Sequence, residues 1–151
     1  LYDAQTIGAA KPAMRVASST AQSIPNNADT TITWPAGSLD FDNDTMWDNS
    51  VTSSTITMTR TGIYLVSLRC TFASTASGGG VRQISATHST LGVVARNAQL
   101  GTVSADAVPN FGFVVPCYVA GQTITFQAFQ TSSAADDVLT RQAQAWRLST
   151  L

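Results

Sequence analysis

Apolar and polar residues alternate along many short stretches of this chain, and a period of two is typical of β-strands with one buried face. The clearest stretch spans 63–72, where every second residue from Tyr64 to Phe72 is apolar. Turn-forming residues separate these stretches about every ten positions. The pattern predicts an all-β, two-sheet antiparallel jelly roll of about ten strands with no significant helix. Strands are expected at 13–18, 30–34, 55–59, 63–72, 81–87, 91–97, 111–119, 122–130 and 139–148.

Two of the expected strands are apolar on both faces. Ile63 and Leu65 lie between the inward positions of the strand at 63–72, and Val114 and Tyr118 do the same in the strand at 111–119. A strand that is apolar on both faces is covered on both faces. In a monomer this second face would form a patch of the kind that marks an interface. These four residues are therefore the candidate subunit interface. Pro116 marks the strand at 111–119 as an edge strand or a bulge.

The segment 39–54 is polar and is expected to be a loop, with Phe41 and Trp47 as apolar anchors. Alternating carboxylates suit calcium, which takes six to eight oxygen ligands. The run starts like an EF-hand loop, but the Gly position holds Thr45 and the final Glu position holds Val51. The pattern favours carboxylates that accept local backbone N–H groups, and calcium remains the alternative. The carboxylates concerned are Asp40, Asp42, Asp44 and Asp48.

Charge is scarce in this chain. Charged residues make up 11% of it, Lys11 is the one lysine, glutamate is absent, and the formal net charge is −1. The seven arginines do not cluster, which excludes a nucleic-acid groove, and no apolar run is long enough for membrane insertion. A surface so poor in charge suits a protein whose surface is partly covered by partners.

The chain offers little that points to catalysis or to a cofactor. Its one histidine, His88, lacks a nucleophile motif around it and is expected to be a surface residue at a strand end. We therefore expect no enzyme activity and no catalytic residue. Cys70 and Cys117 occupy apolar positions of alternating strands, which predicts two buried thiols. A single disulfide between neighbouring strands is the alternative.

The order of several motifs resembles the C1q and tumour-necrosis-factor-like (TNF-like) domains. Residues 59–66 resemble the signature strand of that family, 118–124 resemble the turn before its seventh strand, and 145–148 lie where its last strand ends. The segments 11–15, 22–26 and 40–48 are similar to those of C1q-like domains in bacteriophage virion proteins. Val66 stands where eukaryotic members usually have Phe, and this departure favours the phage proteins.

Residues 1–12 show no clear period and are expected to form an N-terminal arm. For 13–151 the resemblance implies a ten-stranded jelly roll that assembles as a homotrimer. The implied function is that of a virion surface protein, such as a fibre tip, a minor tail protein or a capsid decoration module. Such a protein would attach to host surface glycan or stabilise the particle, in contact with other virion proteins. The alternative is a secreted C1q-like or lectin-like recognition module. Leu1 in place of Met suggests part of a longer protein.

Overall fold

The computed structural model describes residues 11–74, 79–102 and 105–151. The N-terminal arm therefore lies outside the described residues apart from 11–12. The described residues form strands and no helix, as the alternation predicts. The strands are β1 Ala13–Ser18, β2 Gln22–Ile24, β3 Thr30–Thr31, β4 Leu39–Asp42, β5 Thr55–Met58, β6 Gly62–Phe72, β7 Val81–His88, β8 Gly92–Leu100, β9 Asn110–Cys117, β10 Gln122–Gln130 and β11 Asp136–Ser149.

The strands form two antiparallel sheets. Sheet 1 has the order β4-β1-β11-β6-β9, with β2 paired to β11. Sheet 2 has the order β3-β10-β7-β8, with β5 paired to β10. The last strand lies between the first strand and β6, and such returns of distant strands are typical of a jelly roll. The predicted fold class is confirmed.

The core lies between the two sheets and contains the residues that the alternation places inward. On β6 every second side chain from Tyr64 to Phe72 is buried, and Ile124 and Phe126 face them from β10. Trp34 is fully buried, with ring centroids 5.4 Å from Trp47 and 6.0 Å from Phe126 in edge-to-face geometry. The predicted inward positions are therefore confirmed for these strands.

Three sequence boundaries were wrong. The expected loop at 39–54 begins with β4, which pairs along β1, because an exposed edge strand does not need alternating apolar residues. No strand was expected at 22–24, where β2 is held by three register pairs to β11. The strand expected at 30–34 ends at Thr31, and Trp34 instead forms an isolated bridge with Ser53.

The two cysteines are free and buried, as predicted. Cys117 lies opposite Gly62 at the start of β6, whereas Cys70 lies eight residues farther along that strand. At the rise of a β-strand this separates the two thiols by about 26 Å. The alternative of a disulfide between them is therefore wrong. Burial raises the pKa of the Cys70 thiol to about 12, against the opposing effect of the nearby Arg141 charge.

Candidate functional site

The outer face of sheet 1 carries a row of apolar side chains across four strands. Trp146 on β11 lies opposite Ala13 on one side and Leu65 on the other, and Leu65 lies opposite Val114. One step towards the start of β6, Ile63 lies opposite Pro116. These contacts define the apolar half of the outer face: Ala13, Ile63, Leu65, Val114, Pro116 and Trp146.

The structure brings three of the four candidate interface residues together on this apolar half. Val114 is 58% exposed, and Ile63 and Leu65 are half-buried. Tyr118 is 60% exposed but lies beyond the end of β9, where its N–H donates to the Gln122 side chain over 2.8 Å. Tyr118 therefore lies in the turn at the same end of the sandwich. Pro116 lies on an edge strand, as its missing N–H predicts.

Sequence reasoning missed the part that Trp146 plays in this surface. Without the strand order, the alternation along the strand expected at 139–148 could not show that Trp146 continues the face of Leu65 and Val114. The Gln122 side chain donates a hydrogen bond to the Thr90 hydroxyl, so the β7–β8 turn lies beside the β9–β10 turn. Further exposed apolar side chains lie at this end of the sandwich. These are Leu91, Val93 and Val119.

The remaining part of the outer face is its polar half, which carries the charged residues Arg15, Asp40 and Arg69. Arg15 on β1 forms an ion pair with Asp40 at 2.9 Å, and both side chains are 44% exposed. Arg69 on β6 lies opposite Gln142 and Asn110 and is exposed. The outer face therefore divides into an apolar region and a hydrated polar region.

The carboxylates of the predicted calcium loop do not converge on one point. Asp42 accepts hydrogen bonds from the backbone N–H of Asp44 at 3.0 Å and of Trp47 at 2.8 Å. Asp48 accepts from the N–H and the hydroxyl of Ser50, and these bonds lower its pKa. Asp40 is paired with Arg15, as described above. Within the described residues, no three acidic, histidine or cysteine side chains form a group that could hold a metal ion.

Asp44 belongs to a separate cluster. Its carboxylate accepts hydrogen bonds from the Arg60 guanidinium at 2.5 and 3.1 Å and from the Thr59 hydroxyl. The Arg60 carbonyl in turn accepts a hydrogen bond from the Tyr64 hydroxyl at 2.9 Å. The cluster ties the acidic loop to the turn before β6. This arrangement matches the expectation that the carboxylates hold local structure.

The apolar anchors of the acidic loop differ from those expected. Trp47 is buried, as predicted, and its neighbour Met46 is fully buried as well. Phe41 is 43% exposed, so it does not pin the loop to the core. Phe41 lies opposite Arg15 on the edge strand β4, so its side chain faces outward from sheet 1. The assignment of Phe41 as an anchor was therefore wrong, since the loop expected there is a strand.

His88 ends β7, as predicted, but it is buried and not a surface residue. Its Nδ1 accepts the backbone N–H groups of Thr90 at 3.0 Å and Leu91 at 3.2 Å. Nδ1 is therefore unprotonated, and burial lowers the pKa of the imidazole against the opposing effect of the Pro116 carbonyl. The ring caps the β7–β8 turn, a local role that the sequence pattern did not reveal.

Three buried charged residues also escaped sequence reasoning: Arg82, Asp136 and Arg141. The Nε of Arg82 lies 2.5 Å from Oδ2 of Asp136, and both side chains are 1% exposed. A Cβ built on Gly101 would lie 2.9 Å from the guanidinium carbon of Arg82, so a larger residue there would displace the guanidinium. Arg141 is also buried and donates hydrogen bonds to the carbonyls of Thr33 and Thr20. These groups hold loops to the sandwich.

No family model matches this chain, and no curated protein matches it either. In addition, none of the described residues forms a helix long and apolar enough to cross a membrane.

Solved structures do match it over almost its whole length. The globular domain of zebrafish complement 1qA has a TM-score of 0.59 at 12% identity, with 93% of this chain and 100% of that chain covered. Murine APRIL has a TM-score of 0.62 at 14% identity, with 91% and 99% covered. Eiger TNF from S. frugiperda has a TM-score of 0.57 at 9% identity, with 93% and 96% covered. At these identities the likeness establishes the fold, which is the C1q/TNF-like jelly roll.

Proposed function

We propose that this chain is a non-enzymatic, homotrimeric surface protein of a bacteriophage particle. In this proposal it serves as a fibre tip, a minor tail protein or a capsid decoration module. Its task is attachment to host surface glycan or stabilisation of the particle together with other virion proteins. The observation that carries the proposal is the apolar half of the outer face of sheet 1, which an isolated chain leaves in contact with water.

The apolar half supports self-association. Fully burying an aliphatic side chain contributes about 1.5–3 kcal/mol, and Val114 is more than half exposed beside Leu65. Interface cores are depleted of charge, and the apolar half carries none. A closed cyclic assembly covers such a patch without forming open filaments. The number of three copies comes from the resemblance to C1q-like domains.

The assignment to a phage particle is supported by the sequence, because the fold alone does not distinguish phage C1q-like domains from eukaryotic ones. The segments 11–15, 22–26 and 40–48 are similar to those of phage C1q-like domains, and Val66 departs from the eukaryotic pattern. In the structure the segments at 11–15 and 40–48 lie together, because Asn43 bonds to the backbone of Ala13 and Lys11. A virion surface location follows from this assignment.

A non-enzymatic role is supported by the groups that could otherwise act as bases. His88 uses Nδ1 to cap a turn, and the carboxylates of Asp42 and Asp44 are bound to neighbouring N–H, hydroxyl and guanidinium groups. A hydrolytic site needs a base free to activate a nucleophile. These residues are engaged in holding loops in place.

The alternative function is a secreted C1q-like or lectin-like recognition module. The similarity to the zebrafish complement 1qA domain favours it, since the TM-score is within 0.03 of the highest value quoted above. A collagen-like Gly-X-Y stretch before Leu1 in the parent protein would support this alternative. A coiled coil or fibre-shaft repeat in that position would support the phage protein.

Immunogold electron microscopy tests the proposed location directly. Antibodies raised against this chain are applied to phage particles from a lysate of the source. We expect gold at defined positions on the capsid or tail of intact particles. Unlabelled particles together with the chain in the particle-free medium would contradict the virion assignment and favour the secreted module.

A further inference from the structure

We infer that His88 is an acid-sensitive latch: protonation of its ring opens the turn between β7 and β8. This turn comprises residues 89–91 and lies beside the β9–β10 turn at one end of the sandwich. Such a latch goes beyond the proposed function, and it depends neither on the number of copies nor on the virion location.

The closed turn needs an unprotonated Nδ1 on His88. This nitrogen accepts the backbone N–H of Thr90 at 3.0 Å and that of Leu91 at 3.2 Å. A neutral imidazole has one acceptor nitrogen, whereas both nitrogens of the charged ring are donors. A proton on Nδ1 would face two other N–H groups and leave both without an acceptor. The closed turn and the charged ring therefore exclude each other.

The rest of the ring offers the charged form little support. His88 is 1% exposed, and its buried Nε2, which carries the proton of the neutral ring, has no partner in hydrogen-bond geometry among the described residues. Burial without a partner disfavours a charge. It lowers the pKa of the imidazole below its usual 6.5, and the nearby Pro116 carbonyl only partly offsets this effect. The ring in the closed turn is therefore neutral at neutral pH.

No counter-charge faces the ring from the strands around it. His88 lies opposite Gly92 on β8 and Ile124 on β10, and the carbonyl of Pro116 approaches it from β9. These strands, β7 itself and the two turns contain no aspartate, and the chain has no glutamate. Arginine is positive, and thiol and phenol groups are neutral, in weakly acidic solution. The other ionisable side chains on these elements are Arg82, Arg96, Cys117 and Tyr118.

Opening the turn removes the conflict between the proton and the two N–H groups. An exposed imidazole takes up a proton at about pH 6.5, whereas the buried ring does so only at lower pH. The open form therefore binds more protons than the closed form in weak acid. The closed turn is fully stable above about pH 6.5 and loses stability as the pH falls below it, by about a factor of ten per pH unit until the closed ring itself titrates.

The opposite end of β10 carries a similar cap without a titrating group. Oε1 of Gln130 accepts the backbone N–H of Ser132 at 2.6 Å, two residues along the chain, as His88 does for Thr90. Gln130 is also fully buried. A neutral amide thus suffices to hold such a turn. The imidazole at His88 adds a dependence on pH that the amide at Gln130 lacks.

Opening of the β7–β8 turn also loosens the β9–β10 turn. The Gln122 side chain donates to the Thr90 hydroxyl at 2.9 Å, and its Oε1 accepts the backbone N–H groups of Tyr118 at 2.8 Å and Val119 at 3.3 Å. Gln122 therefore holds both turns at once. When Thr90 moves away, this link is lost, so acid acts on the whole end of the sandwich that carries Tyr118.

Hydrogen exchange followed by NMR on the native protein tests the latch. Protection factors, which remove the intrinsic effect of pH on exchange, are compared between about pH 7 and about pH 5. The amides of Thr90 and Leu91 should lose protection roughly tenfold or more, because protonation favours the open form. The amide of Ser132 is the internal control and should change by less than about twofold.

His88→Asn is the matched variant. Oδ1 of asparagine takes the place of Nδ1 and accepts backbone N–H groups without titrating. The Thr90 and Leu91 amides of this variant should therefore have the same protection at both pH values. If the variant does not fold, the ¹⁵N shifts of the His88 ring replace it. The wild-type ring should take up its proton over the pH range in which the two amides lose protection.

The latch is refuted if the Thr90 and Leu91 amides keep their protection at the lower pH, or if Ser132 loses as much protection as they do. The same dependence on pH in His88→Asn would refute it as well, and so would a ring that is protonated while both amides stay protected. These outcomes leave the virion location and the assembly untouched, since immunogold labelling and the native mass test those separately.

Discussion

Leu65 on β6 lies directly opposite Val114 on β9, and both side chains project away from the core of the sandwich. Their strand neighbours Tyr64 and Val115 form the adjacent pair and are buried between the sheets. One pair of strands therefore has apolar residues on both faces, but only one of these faces is covered within the chain. The outward pair is the centre of the surface that we propose to join copies of this protein.

The start of β6 depends on a glycine. Gly62 has a φ of +152°, and a Cβ there would lie 2.4 Å from the Ser149 carbonyl oxygen on β11. We expect Gly62→Ala to destabilise the fold by several kcal/mol, because backbone must move to accommodate it. Gly112→Ala is the control in the same sheet, where a Cβ meets nothing within 3.8 Å. Urea denaturation measures both, and equal stabilities would contradict this account.

The buried ion pair between Arg82 and Asp136 should be costly to break from one side. Asp136→Asn removes the negative charge beside the buried guanidinium, and we expect a loss of about 3–5 kcal/mol in the free energy of unfolding. The exposed pair of Arg15 and Asp40 is the comparison, and Asp40→Asn should cost about 0–1 kcal/mol. Thermal denaturation of both variants distinguishes the two environments. Similar losses would show that burial of the first pair does not matter.

The Cys70 thiol should make stability fall at high pH. Its folded pKa is raised from 9.0 to about 12, so the unfolded thiol ionises first. This contribution to stability is present below pH 9 and is lost as the pH rises towards 12. Between pH 7 and 10.5, wild type should lose more unfolding free energy than Cys70→Val, since valine does not ionise. Parallel losses in the two proteins would contradict the burial of this thiol.

The acidic loop should be insensitive to calcium. Its carboxylates accept local hydrogen bonds, so we expect calcium or a chelator to move the melting temperature by less than about 1 °C. Asp42→Asn should lower the melting temperature by weakening the bonds to the Asp44 and Trp47 N–H groups. A calcium-dependent rise that Asp42→Asn removes would instead establish a metal site.

The sequence predicted the fold class and the inward residues because the alternation on strands such as β6 and β10 records directly which face is buried. It did not predict β4, whose pairing with β1 depends on tertiary position and not on a hydrophobic pattern. Burial of Arg82 and Asp136 was equally invisible, since charged residues are usually exposed and their pairing spans 54 positions.

The candidate interface could be predicted only in part. Ile63, Leu65 and Val114 interrupt otherwise alternating strands, and the strand pairing does place them together. Trp146 and Arg69 lie on this face because of the pairing register between β11 and β6, which a local sequence pattern does not contain. His88 was misassigned because turn capping by a ring nitrogen depends on the backbone that folds around it.

The native mass in solution tests the proposed assembly most directly. Light scattering or native mass spectrometry at micromolar concentration should give three times the chain mass of 15.8 kDa. Leu65→Asp should give a single-chain mass, because it places a charge in the centre of the apolar half. Val51→Asp, which changes an exposed apolar residue outside sheet 1, should remain trimeric. A wild-type dimer would contradict the number of copies, and a wild-type mass of one chain would contradict the assembly itself.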